Sequence, residues 1–358
     1  MRILLVTPSL GADPAARVWA AWLADRGHGV FVAAVDAGGV ELPAPVGRLT
    51  LPAGRAADRA LGAGVEASRP DVVLALGGEA GARAVQAAAS IPVVIREDRL
   101  TGGDSRSIRN RVRRSRTIKA YRGAARVAAV SHAVAAELVS AYGVAGSRVV
   151  VVPNPVALAA PDRPAAEAPP PADTAAAAGD PLALLVPEAD RTHAELVLDA
   201  AAALRAQGVD TRVVTYERRD GRAPALGART SAVPFEARPW SDAWLAEAPP
   251  GAVVVLPAST AGFADSLVSA AASGIPSVAV SHAFGVADAV VPGRSGQLAF
   301  TATPHSLAQA VLAARGMPRP RADGWTARFS PDESGRLLLA TLHRAASPHS
   351  PQNGRSRR

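Results

Sequence analysis

The chain has 358 residues, long for one hydrophobic core and comfortable for two, and 49 % of them are hydrophobic. It contains no Cys, which excludes disulfides, thiolate metal sites and Cys nucleophiles. Its 39 Lys plus Arg against 31 Asp plus Glu leave a formal charge of +8, which favours anionic partners: phosphates, nucleic acid or acidic lipid. In chain order, "RILLVTP" reads as a buried strand that begins at once, so no signal peptide is expected and a cytoplasmic location is. "PAARVWAAWLADRG" reads as a helix stopped by Gly27, and "GVFVAAV" as the next strand. "PDVVLAL", "IPVVIRE" and "ARVAAVS" follow as short apolar strands with helical stretches between them. "SHAVAAELVSAYG" predicts a helix capped by Ser131, followed by a strand from Arg148 to Val152. This βα series implies a mostly parallel sheet covered on both faces, over residues 1–155.

Between Val156 and Pro181, Pro and small residues are too dense for a packed element, so 156–181 reads as a linker. The series then restarts. "LALLVP" predicts a strand, "THAELVLDAAAALRAQG" a helix ending at Gly208, and "VDTRVVTYE" and "GAVVVLPAS" two more strands. A helix is expected near Phe263–Ser273, then strands at "IPSVAVS" and "SGQLAF", which complete a domain over 182–330. A terminal helix is expected within 331–346, at about Asp332–Arg344, with a ragged tail over 347–358. No apolar run has the length of a membrane span; those at Val149–Val152 and Val253–Leu256 are strand-length. The expected fold class is α/β: two doubly wound Rossmann-like domains facing a central cleft.

In such sheets ligands bind beyond the C-terminal strand ends, which singles out four loops. In "TPSLGADPAA", Gly11 permits close backbone approach before a helix N-terminus; an ordinary βα turn accounts for it as well. The loop is not a GxGxxG fingerprint, which argues against a nicotinamide enzyme. In "VSHAV", His132 is a candidate for ligand contact or proton transfer, or simply a histidine beside a helix cap. In "VPNPV", Asn154 is stiffened between two prolines at the cleft edge, or marks a rigid turn. In "PASTAGFADSLVSAAASGIP", small residues and Gly262 expose the start of the next helix, which suits a pyrophosphate. Further on, "HAFGVADAV" sets Gly285 in a turn after another strand.

Arg106 to Arg126 holds nine basic residues and no acid. Three readings stand. It is a solvated helix face; or Arg109, Arg113, Arg114 and Arg116 hold an anionic acceptor or an acidic membrane surface; or it binds nucleic acid, for which no recognition fold or interleaved aromatic platform speaks.

On these segments the chain resembles the retaining GT-B glycosyltransferases of glycosyltransferase family 4, over almost its full length. "RILLVTPSLGADPAARVWAAWLADRGHGVFVAA" looks like that family's first βαβ unit, and "VAAVSHAVAAELVSAYGVAGSRVVVVPNPV" is similar to its strand, Ser turn, helix and Pro-Asn strand end. "PASTAGFADSLVSAAASGIPSVAVSHAFGVADAVVPGRSGQLA" resembles its donor signature: Gly262 and Phe263 match the Gly-Phe pair, Phe284–Gly285 the Gly-Gly turn, and Asp288 the Glu that follows. Arg191 falls near the family's phosphate-binding Lys. The family's two Glu, separated by seven intervening residues, map to Ala261 and Ser269, and Glu97 stands where a His is common. Asp265 is expected on the same helix face as Ala261 and Ser269, one turn from each, where it could compensate. The resemblance implies a hexosyltransferase-type enzyme that moves a sugar from a nucleoside-diphosphate sugar to a hydroxyl acceptor. It also implies retention, with no metal and no cofactor beyond that co-substrate. His132 and Asp265 would be catalytic, and Gly11, Asn154, Arg191, Gly262, Phe263, Ser269, Gly285 and Asp288 would hold the donor. The acceptor would be lipid-linked or anionic, with peripheral contact at the inner membrane face through residues 106–126. The alternative is a weak or inactive GT-B protein acting as a partner or nucleotide-sugar binding module.

Overall fold

Two parallel sheets organise the chain in a computed structural model, which describes all residues except 37–39, 55, 100–107, 157–180, 219–232, 258–261, 282–283, 322–323 and 348–358. The first domain runs β1 (Arg2–Ser9), α1 (Pro14–Asp25), β2 (Gly29–Asp36), β3 (Gly47–Thr50), α2 (Ala56–Ser68), β4 (Val72–Leu76), α3 (Gly78–Ala87), β5 (Val93–Glu97), α4 (Ile108–Gly123), β6 (Arg126–Ala129), α5 (His132–Ser140) and β7 (Val149–Val151). The second runs β8 (Leu182–Val186), α6 (Arg191–Ala206), β9 (Thr211–Tyr216), β10 (Phe235–Arg238), β11 (Val253–Leu256), α7 (Asp265–Ala272), β12 (Ser277–Val280), α8 (Phe284–Ala287), β13 (Gly296–Ala299), α9 (Pro304–Arg315), α10 (Gly324–Ala327) and α11 (Pro331–Ala346).

The seven-stranded sheet has the order β3-β2-β1-β4-β5-β6-β7 and the six-stranded sheet β10-β9-β8-β11-β12-β13, so both reverse direction beside their first strand. Central strands are buried on both faces, as parallel sheets require: every residue of β4, β5 and β8 is buried. Helix starts follow local chemistry. Asp13, Asp190, Thr303 and Ser330 each accept a backbone N–H at a helix N-terminus, and Pro fills the first turn of α1, α9 and α11.

Three expectations need correction. The helix placed near Phe263–Ser273 begins at Asp265, because Ala264 holds a non-helical φ of −128° and ψ of 86°. Asp265 is one turn from Ser269, and Ala261 lies outside the described residues. Gly285 is in the short helix α8 rather than a turn. Arg148 belongs to a 3₁₀ turn (Gly146–Arg148) rather than to β7, since its backbone N–H donates to the Ala145 carbonyl at 2.8 Å.

The terminal helix α11 belongs by packing to the first domain. Leu338 and Leu342 are fully buried in the core that holds Ile3, Leu5, Trp19 and Trp22. Trp19 Nε1 donates to Ser334 Oγ at 2.9 Å, and Ser334 Oγ donates to the Pro153 carbonyl at 2.6 Å. Gly335 is required where α11 crosses α1, since a Cβ there would overlap the Trp22 ring. The chain thus crosses between domains twice, near Pro153–Val156 and near Phe329–Pro331. The crossings are tied together by Val156 N donating to Phe329 O at 2.7 Å. Val156, expected as the first linker residue, is buried in the core of the second domain. No helix among the described residues is long and apolar enough to cross a membrane.

Candidate functional site

The C-terminal edges of the two sheets face each other, and the loops beyond β5, β6, β7, β11 and β12 meet there. The N-terminal side is built on a charged strand end. Arg96 and Glu97 close β5, yet are only 1 % and 4 % exposed. Buried charges need partners. Arg96 has Asp98 at 3.5 Å and Asp13 at 3.9 Å, lies over the Trp19 ring at 5.4 Å, and donates to Asn154 Oδ1. Burial pushes the Asp13 carboxyl above its ordinary range, with Arg96 opposing. Glu97 accepts the Tyr121 hydroxyl at 2.6 Å and the backbone N–H groups of Asp98 and Arg99 at 3.1 and 3.3 Å. Burial raises its pKa, with the Tyr121 bond opposing; burial and the nearby Glu97 push the Tyr121 phenol up in turn.

Asn154 carries this network across the cleft. Its Nδ2 donates to both oxygens of Asp265, at 3.1 and 2.9 Å. Asp265 is therefore oriented from the opposite domain, through Asn154 and Arg96. Ser269, one turn along α7, donates its hydroxyl to the Asp265 carbonyl at 3.0 Å, a bond within its own helix.

A second crossing lies at α5. Ser131 Oγ accepts Val134 N–H at 3.2 Å and donates to the Gly262 carbonyl at 2.7 Å. Asp288 Oδ2 accepts the N–H groups of His132 and Ala133 at 3.0 and 3.4 Å. The His132 ring is exposed. Gly262 is buried so closely against the other domain that a Cβ would overlap the Asp98 carbonyl. Phe263 touches the cores of both domains and stacks on Phe329 with ring centres 5.3 Å apart.

Of the residues singled out from sequence, Asn154, Gly262, Phe263, Asp265 and Asp288 come together here, with His132 and the neighbouring Ser269. Gly11 lies in the turn between β1 and α1, partly exposed. Gly285 is buried in α8. Arg191, at the first position of α6, is 69 % exposed and pairs with Glu195 at 3.1 Å within that helix. Sequence reasoning missed Arg96 and Asp13. The available signal was a charged pair, Arg96–Glu97, ending an otherwise apolar strand.

The basic segment forms α4 from Ile108 onward, and the side chains of Arg109 and Arg113 lie outside the described residues. Arg111, Arg114, Ser115, Ile118, Lys119 and Arg122 line one open groove of about 420 Å³. Arg114 donates to the Ala141 carbonyl at 2.9 Å and lies over the Tyr142 ring at 4.7 Å; Arg116 is exposed. Tyr121 anchors the inner side of the same helix to Glu97.

Residues 11–160 match the model of Glycosyltransferase Family 4. No curated protein matches the sequence. Among solved structures, HepE from Anabaena in complex with UDP-glucose is similar with a TM-score of 0.69 at 14% identity, over 96% of this chain and 99% of that one. Sucrose-phosphate synthase from Thermosynechococcus elongatus gives 0.65 at 17% identity, over 97% and 96%. UDP-GlcNAc 2-epimerase from Neisseria meningitidis, bound to UDP-GlcNAc, gives 0.56 at 11% identity, over 96% and 100%. At these identities the likeness is one of fold, and that fold carries more than one reaction. The paired parallel sheets and the returning terminal helix give this chain the GT-B fold, and residues 11–160 of it are similar to Glycosyltransferase Family 4.

Proposed function

We propose that the protein is a glycosyltransferase that moves a sugar, a hexose by family resemblance, from a nucleoside-diphosphate sugar to a hydroxyl acceptor across this cleft. The observation that carries the reading is the oriented acid: Asp265 starts α7 on the donor side and is held by Asn154 from the acceptor side. The family match to the first domain and the UDP-glucose complex of HepE support the ligand class. In this reading helix N-termini and backbone N–H groups near Gly262 and Gly285 receive the diphosphate, and Arg191 leaves Glu195 to add charge. No metal is required. Asp265 stands in for the carboxylates that the family has at Ala261 and Ser269, contacting donor hydroxyls. His132 and Asp265 face the developing positive charge on the sugar. Retention is carried over from the family alone. The basic groove on α4 would take a phosphate-bearing acceptor or the anionic membrane face that presents it.

A second reading has its own observation. Ser269 spends its hydroxyl on the helix, Asp265 is tied to Asn154, and Asp288 is tied to α5, so the polar groups left for a donor are few. A nucleotide-sugar binding module without turnover fits that. One experiment separates the two: a panel of nucleoside-diphosphate sugars, scored by calorimetry for binding and by product formation for turnover, on the parent and on Asp265→Asn and Arg191→Ala. Turnover lost in Asp265→Asn supports the enzyme. Binding without turnover supports the module. Arg191→Ala binding as tightly as the parent removes Arg191 from the site.

A further inference from the structure

The first turn of α5 is completed by the other domain. A helix N-terminus leaves backbone N–H groups without intrahelical partners. In α5, Val134 N–H is taken by the helix's own cap, Ser131, while His132 and Ala133 N–H are taken by Asp288. The cap hydroxyl sends its proton across as well, to Gly262 O at 2.7 Å. Donors and acceptors at this helix end are thus matched between domains. A carboxylate there is favoured twice, by charge-assisted hydrogen bonds and by the positive end of the helix dipole.

The surrounding boundary is built to part. The large apolar clusters are separate for each domain, and Phe263, only partly buried, is shared between them. The helix that returns, α11, packs on the first domain and moves with it. Among the described residues, three polar bonds join the sheet edges beside the Gly262 and Phe263 contacts: Asp288 to α5, Ser131 to Gly262, and Asn154 to Asp265. Domains that keep separate apolar cores move relative to each other by default. Asp288 itself is exposed, so water can replace its partners.

We propose that Asp288 is a closure latch: its carboxylate docks into the N-terminus of α5 to hold the cleft shut, and opening consists of leaving that socket. The identity of the ligand does not enter this inference, so it stands or falls independently of sugar transfer.

The test uses the full chain. Hydrogen exchange of the 131–135 segment and the radius of gyration from small-angle scattering are measured on the parent and on Asp288→Ala. Exchange at the amides of His132 and Ala133 should rise at least about tenfold, as loss of a charge-assisted bond implies. The radius of gyration should increase, while exchange in β4 and β8 stays unchanged. Faster exchange at α5 with an unchanged radius would reduce Asp288 to a local cap and overturn the latch, as would no change in either. If β4 or β8 also exchanges faster, the same pair of measurements is read on Asp288→Asn, which keeps the shape and removes the charge.

Discussion

The two domains share one strand order and differ in what they place at the sheet edge. The first ends β5 with a buried guanidinium and a buried carboxyl, Arg96 and Glu97, and surrounds them with Asp13, Asp98, Tyr121 and Asn154. The second brings the backbone of Gly262 and two acids, Asp265 and Asp288, to the boundary. The polar scaffold is thus on one side and the close backbone approach on the other. The lesson is that a doubly wound sheet fixes where a site lies, while the residues closing each strand decide which half acts as framework and which as visitor.

The largest effects should come from pairing two glycines that both lack room for a Cβ. At Gly296, within the second sheet, a Cβ would overlap the Ser277 carbonyl; at Gly262 it would overlap Asp98 of the other domain. Gly296→Ala should cost about 1–3 kcal/mol in urea unfolding, as overpacking does. Gly262→Ala, whose clash is relieved by parting the domains, should cost less than Gly296→Ala but enlarge the radius of gyration. Equal losses of stability would mean that the boundary is part of one core.

Next is Ser334→Ala, which leaves Trp19 Nε1 and the Pro153 carbonyl unpaired in the interior. A loss of about 1–3 kcal/mol is expected from denaturant titration. A neutral result would detach α11 from the framework role of the first domain.

Glu97→Gln sharpens the comparison through pH. Burial raises the folded-state pKa of Glu97 above its ordinary 4.5. The folded chain keeps a proton that the unfolded chain releases. The stability linked to that proton is whole below pH 4.5 and drains away as pH climbs through the folded pKa. Gln never ionises and can still accept the Tyr121 hydroxyl. Melting temperatures of the variant should therefore gain on the parent from acid toward neutral pH. Parallel curves would show Glu97 ionised without cost. Asp13, raised in the same direction, leaves a residual slope in both.

The smallest effect is expected from Arg26→Ala. Arg26 pairs with Asp332 at 2.6 Å and lies 3.8 Å over the Trp22 ring, but its side chain is 42% exposed and that of Asp332 74%. A minor loss that fades with added salt is the expected outcome, read from melting curves at low and high ionic strength.

Much of this architecture was legible because its signals are local. Apolar runs of strand length gave most of both sheets, and Ser131 announced its own helix. The strands that escaped notice, β3 (GRLT) and β10 (FEAR), are the edge strands of their sheets. With one neighbour each, they need no continuous apolar run. The site was legible only as loops. Its pairings join residues far apart in the chain, Asn154 with Asp265, Ser131 with Gly262 and His132 with Asp288, and no periodicity encodes such partners. Arg96 was hidden for a related reason: beside the neighbouring Asp98, its role depends on Asp13 and Asn154, which come from two distant segments.

The double crossing near Pro153–Val156 and Phe329–Pro331 has a mechanical consequence. Two bodies joined at one point can swivel about any axis. Two connections lying side by side, here bonded through Val156 and Phe329, suppress twisting and leave a swing about the line they define. Such a joint confines any relative movement of the two halves to one arc. Asn154, next to that pivot, travels least, so it can serve as the fixed bearing against which the second domain is aligned.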